Sequence, residues 1–370
     1  MTDRLVNLQL LRIFAALAVV LYHVKNHAGT FDKSFNPQWF GWGHAGVDVF
    51  FVISGFIMVY ITRKGTMKPG EFILRRFARV WPLYLIVTIA AALIAAYAPL
   101  FYKGDTTLSY VIKSAVFIPA ARSFDHQYFP LVGQGWTLNV EIAFYSLFGL
   151  ALAFRKSDVA LVCLIGALMG LGMVSGVPEL SFYATAGHGI LLEFLFGVLL
   201  GRLYLSGAKI PAPLAWSALA AGLALIVFPV SGPRFLMIGG PAFLIVAGAL
   251  YVPAPKSKQV ADAFDVLGLT SYALYLTHVF VLSAFRRVLL LEHAQMHWAV
   301  YIVIATALSV VLATAVYLMI EKPIEKRLKP LVALRFQRVN LPVQVFDKRQ
   351  QMHRQPVVLD AIGNESSTVL

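Results

Sequence analysis

Apolar residues in this chain gather into long runs separated by short polar stretches; they do not alternate with the period of a strand. Ten runs stand out, near 8–25, 46–62, 80–99, 137–154, 159–176, 187–206, 213–230, 234–252, 267–291 and 298–320. Each approaches the roughly 20 residues a helix needs to cross a hydrocarbon core. The pattern predicts an all-α, polytopic integral membrane protein with about ten transmembrane helices. A shorter apolar stretch at 108–120 carries Lys113 and lies in a long polar loop, so it reads as interfacial. The first run does not read as a cleaved leader, because Arg12 interrupts it and neither a basic segment nor a small-x-small cleavage site flanks it. The chain divides into a membrane domain over 1–325 and a polar tail over 326–370. The tail holds Pro342 and Pro356, ends Ser/Thr-rich, and is assigned no catalytic role. No short internal repeat is evident.

Composition sharpens this picture. Hydrophobic residues make up 59% of the 370 and charged residues 13%, with mean hydropathy +0.74, whereas soluble domains carry roughly 25% charged residues. A soluble enzyme, a disordered chain and a coiled coil are excluded. The formal net charge of +13 does not read as a nucleic-acid footprint once it is sorted by side. With the N-terminus cytoplasmic and an even number of spans, both termini are cytoplasmic. Of the 31 Lys and Arg, 22 then fall inside and 8 outside, with Arg12 within the first span. The single cysteine, Cys163, can form neither an internal disulfide nor a zinc site and reads as a small core residue.

Ionisable residues inside spans are costly and therefore mark candidate chemistry. Here they are Arg12, His23, Asp48, Glu141, Glu193 and His278. Arg12 and His23 lie eleven residues apart, which puts them on one helix face about 16 Å apart along the axis. That face either lines a polar path or lets each side chain snorkel to its own interface. Asp48 opens the second span, where it can pair with His23 or serve as an N-terminal acid favoured by the helix dipole. Ser54-Gly55 in the same helix reads first as a close-packing site. Arg75, Arg76 and Arg79 open the third span. They form a positive-inside anchor or a clamp for a phosphate-bearing ligand. Glu141 lies about one turn beyond Trp136, and Ser271, Tyr275 and His278 share a face. His23, Asp48, Glu141 and Glu193 are expected to converge on a polar cavity open to the outside, with the arginines facing the cytoplasm. Composition and topology thus reach a membrane enzyme or transporter with an intramembrane polar chamber, and no named reaction.

Six stretches in order carry a resemblance. They are Leu8-Gln9-Leu10-Leu11-Arg12 running to Tyr22-His23, Gly46-Val47-Asp48-Val49-Phe50-Phe51 running to Gly55-Phe56, and Arg75-Arg76-Phe77-Ala78-Arg79-Val80-Trp81-Pro82. Trp136-Thr137-Leu138-Asn139-Val140-Glu141, Ser271-Tyr272 to His278, and Ile320-Glu321-Lys322-Pro323 follow. Over about the first 325 residues the chain resembles the membrane acyltransferase-3 family, in its exopolysaccharide O-acetyltransferase (ExoZ-like) branch. The resemblance implies ten helices, cytoplasmic termini and location in a bacterial inner membrane. It also implies transfer of an acyl group, usually acetyl, from acetyl-CoA to a sugar hydroxyl. The family's required Arg-x10-His pair maps onto Arg12 and His23, its donor-linked Arg-x-x-Arg onto Arg76 and Arg79, and its Trp-to-Glu element onto Trp136 and Glu141. Two departures stand out. Gln9-Leu10 replaces the Asp-Gly of many members, and Ile142 stands where many carry a second Glu.

The expected mechanism follows. His23 acts as general base, with Asp48 or Glu141 orienting it. Arg12, Arg76 and Arg79 bind the CoA donor. Trp136, Asn139, Tyr275 and His278 face the acceptor. No metal is expected, and all chemistry is expected within the membrane core. The expected partners are a glycan acceptor, the bilayer and a polysaccharide-assembly complex, with no nucleic acid. The competing class is a polysaccharide-precursor transporter or flippase with a proton relay. Its paired repeats or matched broken helices are not clear in the sequence.

Overall fold

The computed structural model describes residues 5–185, 189–229, 231–255 and 257–338. Among them there is no strand; a lone bridge joins Ala121 to Tyr128. The helices are α1 (Val6–Phe31), α2 (Gly46–Thr62), α3 (Pro69–Tyr97), α4 (Leu108–Ala115), α5 (Trp136–Ala151), α6 (Ser157–Val174) and α7 (Pro178–Thr185). They continue as α8 (Ile190–Leu205), α9 (Ala212–Val227), α10 (Arg234–Met237), α11 (Gly239–Tyr251), α12 (Lys258–Leu291), α13 (Trp298–Val316) and α14 (Lys322–Arg338).

Among the described residues, seven helical stretches are long and apolar enough to cross a membrane: Val6–Phe31, Pro37–Thr62, Pro69–Tyr97, Ser157–Val174, Arg234–Tyr251, Lys258–Leu291 and Trp298–Ala333. The other three expected runs are also helical, as α5, α8 and α9, but each has only 16 residues. At 1.5 Å per residue that is about 24 Å, short of a roughly 30 Å hydrocarbon core. The stretch at 108–120 forms only the short α4. At the C-terminal end, α13 passes through a π-helical turn, Tyr317–Glu321, straight into α14. The helix therefore continues past residue 325, and the tail beyond Arg338 lies outside the described residues.

The bundle is apolar without, and its apolar core encloses a few polar and charged side chains. Leu93, Val162, Leu171, Val303 and Val311 are exposed on outer helix faces, while Asp48, Glu193, His278 and Glu321 are buried. A bilayer solvates the first set and a packed interior must satisfy the second. Cys163 belongs to the outer set: it is exposed on α6 rather than in the core. Two glycines fix α2. A Cβ on Gly46 would stand 2.3 Å from the Ala15 carbonyl oxygen of α1, and one on Gly55 would stand 2.1 Å from the Phe194 carbonyl oxygen of α8. Small residues thus let three backbones close together. That contact sets the rotation of α2 and aims Ser54 and Asp48 in different directions.

Candidate active site

The three arginines expected to hold the donor come from two helices and meet at one cavity. Arg12 of α1 and Arg76 and Arg79 of α3 line a space of about 170 Å³ together with Ser54, Glu141, Tyr145 and Tyr275. Arg75 is turned away: its Nε donates to Glu71 of its own helix at 2.8 Å. This split follows from helical spacing, because i and i+3 share a face and i−1 does not. Glu141 is held from two sides. Ser54 Oγ donates to Glu141 Oε1 at 3.0 Å, and Tyr145, one turn further along α5, donates to the same oxygen. Ser54 therefore serves the polar pocket while its neighbour Gly55 does the close packing. Arg12 donates to Gln9 Oε1 at 3.1 Å, so the residue that departs from the family's Asp still carries an acceptor for Arg12.

Arg79 has a partner that sequence spacing did not reveal. Its Nη1 donates to Glu321 Oε1, and the two form an ion pair across 242 residues of chain. Glu321 is the last residue of the π-helical turn; such turns insert one extra residue and rotate the next side chain. The Arg79 guanidinium also lies 5.6 Å from the Tyr272 ring, and the Tyr272 hydroxyl donates to the Val80 carbonyl at 2.7 Å. Glu321 appeared in the sequence only within a quoted motif and was given no role. Three guanidinium groups, always charged, face two carboxyls here. The cavity holds at least one excess positive charge whatever the protonation of Glu141 and Glu321. Arg76 Nε is buried without a hydrogen-bond partner. An incoming anionic oxygen would supply one.

The two histidines lie farther along the same bundle. The rings of His23 on α1 and His278 on α12 meet edge to face, 5.1 Å apart. His278 Nδ1 lies 3.0 Å from the Leu274 carbonyl, so that nitrogen is the donor. His278 Nε2 and His23 Nδ1 are both buried with no hydrogen-bond partner. Tyr275 stands between the two groups. It lines the arginine cavity, its ring centroid is 6.2 Å from that of His278, and its hydroxyl meets Thr137 Oγ1 at 2.8 Å and donates to the Gln134 carbonyl at 3.0 Å.

The expected convergence of four residues divides into three places. Asp48 is not paired with His23. Arg234 Nη2 donates to both of its carboxylate oxygens, at 3.0 and 2.8 Å, and Glu193 lies beside it. The rotation of α2 set by Gly46 and Gly55 points Asp48 at α8 and α10, away from α1. Glu141 keeps company with the arginines and Ser54, because it lies more than a turn inside the start of α5. Among the acceptor candidates, Asn139 is buried with Oδ1 unpartnered, and Trp136 lines a separate space at the start of α5. Of the missed residues, Tyr145 was legible at i+4 from Glu141; Arg234 carried no signal.

An arginine-lined cavity and, beyond Tyr275, a buried histidine pair lie inside a helix bundle whose outer faces are apolar, which is the setting of a membrane protein with a polar interior site. Residues 5–318 match the acyltransferase domain of the acyltransferase-3 family, and the chain belongs to that family. It is 35% identical over 293 residues to the exopolysaccharide production protein ExoZ of Rhizobium meliloti (strain 1021), covering 77% of this chain and 90% of that protein. A protein of Staphylococcus aureus (strain COL) named as an O-acetyltransferase is 25% identical over 361 residues, 85% of this chain and 56% of its own length. The chain thus spans about half of that relative. Protein 2 in the picA locus of Rhizobium radiobacter is 36% identical over 99 residues, 26% of this chain and 46% of that protein. No solved structure matches. The chain is a multi-pass membrane acyltransferase.

Proposed function

We propose that this acyltransferase moves an acetyl group from acetyl-CoA to a sugar hydroxyl of an exopolysaccharide or its lipid-linked precursor. The carrying observation is the surplus of guanidinium groups over carboxyls around the cavity, with Tyr275 of its lining 6.2 Å, ring to ring, from His278 of a histidine pair that carries unpartnered buried nitrogens. The names of the relatives, exopolysaccharide production protein and O-acetyltransferase, agree with that chemistry. The excess of Lys and Arg on one side supports both termini in the cytoplasm of a bacterial inner membrane, with the 16-residue α5, α8 and α9 as short spans that the bilayer thins to meet, for ten in all.

In this reading Arg12, Arg76 and Arg79 receive the phosphates of CoA at the cytoplasmic mouth. A space of about 170 Å³ is smaller than a site for a whole drug-sized ligand, so it takes the narrow pantetheine arm. Ser54 and Tyr145 fix Glu141, which balances part of the arginine charge. The arm passes Tyr275 toward the histidines. There His23 accepts the proton of the sugar hydroxyl as its oxygen attacks the thioester carbonyl. The C–S bond breaks, and the departing CoA thiolate is neutralised by the proton held on the imidazole. His278, locked by its Leu274 bond, orients His23. Asp48 holds α2 to Arg234 and takes no part in proton transfer. Trp136 and Asn139 face the acceptor side of α5.

The test is transfer of labelled acetyl from acetyl-CoA to extracted glycan by the detergent-solubilised protein. Replacing His23 by Ala should abolish transfer while membrane insertion and CoA binding persist. Full activity in that variant would refute the base assignment, and no transfer by the native protein would refute the reaction.

A further inference from the structure

A second space, of about 650 Å³, opens at the end of the bundle where the histidines lie. Two bonds hold Trp136, one of its lining residues, in place. Gln134 Nε2 donates to the Leu276 carbonyl at 2.8 Å, and Thr137 Oγ1 meets the Tyr275 hydroxyl at 2.8 Å. Trp136, between them in sequence, is thereby held at the level of the α12 turn that carries His278. It lines the space.

One wall is a short hairpin. Ala121 bridges to Tyr128, the Arg122 amide donates to the Gln127 carbonyl at 3.0 Å, and the His126 amide donates to the Arg122 carbonyl at 3.0 Å. The Arg122 guanidinium grips Asp125 at 2.5 and 3.1 Å and reaches Gln127 Oε1 at 3.3 Å. That last bond occupies the Gln127 carbonyl and leaves its NH2 group as a donor. His126 adopts φ 56°, uncommon for a residue with a side chain. The opposite wall is the α6–α7 corner. Ser181 Oγ donates to the Gly172 carbonyl at 2.9 Å, and Phe182 is buried against the space. Lys113 of α4 and Glu179 of α7 approach to 3.6 Å and tie the two sides together.

The lining is therefore aromatic on its faces, with Tyr128, Phe129, Trp136 and Phe182, and polar at its rim, with His126 and Gln127. Neither a lipid tail nor an inorganic anion calls for that mixture. A pyranose does: its C–H faces pack on rings while its hydroxyls take hydrogen bonds from edges. A loop fixed beforehand by its own hydrogen bonds loses little freedom on binding. We propose that this groove is the acceptor subsite, holding a polysaccharide strand against Tyr128 and Trp136 with its hydroxyls on Gln127 and His126. The inference rests on the sugar-acetylation reading and adds the surface that selects the acceptor.

The test uses the full-length protein in lipid nanodiscs, with alkali-deacetylated oligosaccharides cut from the host cell's own exopolysaccharide as probe. Binding is read by saturation-transfer NMR and acetyl transfer by steady-state kinetics. Tyr128→Ala should raise the oligosaccharide Kd and acceptor KM about tenfold, with kcat and the acetyl-CoA KM within twofold, and Tyr128→Phe should behave as the native protein. Gln127→Ala, at an exposed position, should raise the acceptor KM alone. Unchanged acceptor KM in both Tyr128→Ala and Gln127→Ala would overturn the proposal, as would displacement of the oligosaccharide by dioleoylphosphatidylglycerol. Tyr128-dependent binding without acetyl transfer would keep the groove and remove the acetylation reading. Transfer indifferent to Tyr128 would do the reverse.

Discussion

Two ionic clusters are built from residues of opposite sign bias. In one, Arg12, Arg76 and Arg79 face Glu141 and Glu321 around an open cavity. In the other, Arg234 pairs with Asp48, which is wholly buried, and Glu193 lies beside them. The second is tightly packed but not fully satisfied: Arg234 grips both oxygens of Asp48, while both Glu193 oxygens and Arg234 Nε are buried without a hydrogen-bond partner, and a Cβ on Gly239 would stand 2.7 Å from the Glu193 Cγ. In the first, the unpartnered Arg76 Nε belongs to a side chain that lines a space of about 170 Å³ with a surplus of guanidinium groups around it. Buried charge alone does not mark a site of chemistry. Charge left unsatisfied beside open space does, because only a ligand can complete it.

The contrast breaks most sharply by exchanging stability for activity. Replacing Arg234 by Gln strips a buried carboxylate of its partner. A loss approaching the 3–5 kcal/mol typical of a broken buried pair is expected, reduced because the Arg234 side chain is 26% exposed. Thermal melting in detergent measures it, and the acetyl-CoA KM of the surviving folded fraction should not move. Arg76→Gln should do the opposite. About 1.5–3 kcal/mol of a charge-assisted hydrogen bond is lost only when the donor is bound, so the donor KM rises roughly 10–100-fold while melting stays within a few degrees. Equal destabilisation by both substitutions would erase the distinction between the clusters.

Smaller changes sharpen it. Glu321→Gln leaves Arg79 a hydrogen-bond partner without the charge, and a rise of a few-fold in donor KM is expected at unchanged kcat. Tyr145→Phe removes one of the two donors on Glu141; with Ser54 still in place, acetyl-transfer assays should show no more than about a fivefold decrease, about 1 kcal/mol. The smallest effect lies outside the membrane. Asp105 is pulled down to about 2 by hydrogen bonds from the Thr107 hydroxyl and amide and from Ser123. Its grip on the loop before the hairpin is full above the ordinary carboxylate range near 4 and fades as pH falls through about 2. Amide exchange over 121–128, corrected for intrinsic rates, should be flat from pH 7 to 4 and accelerate below 3.

Much of this was legible in the chain. The apolar runs forecast every long helix, because a helix in lipid must satisfy its backbone internally and show lipid an apolar face. The 3.6-residue period separated Arg76 and Arg79 from Arg75 and set Tyr145 over Glu141. Tertiary structure alone decided the partners: Arg79 with Glu321 across 242 residues and Arg234 with Asp48 across 186. It also separated Asp48 from His23, although a short loop joins their helices. The physical reason is rotation. Periodicity says which residues share a face of one helix, but which face meets which neighbour depends on backbone contacts such as Gly46 on Ala15 and Gly55 on Phe194. Those contacts form only when the helices pack.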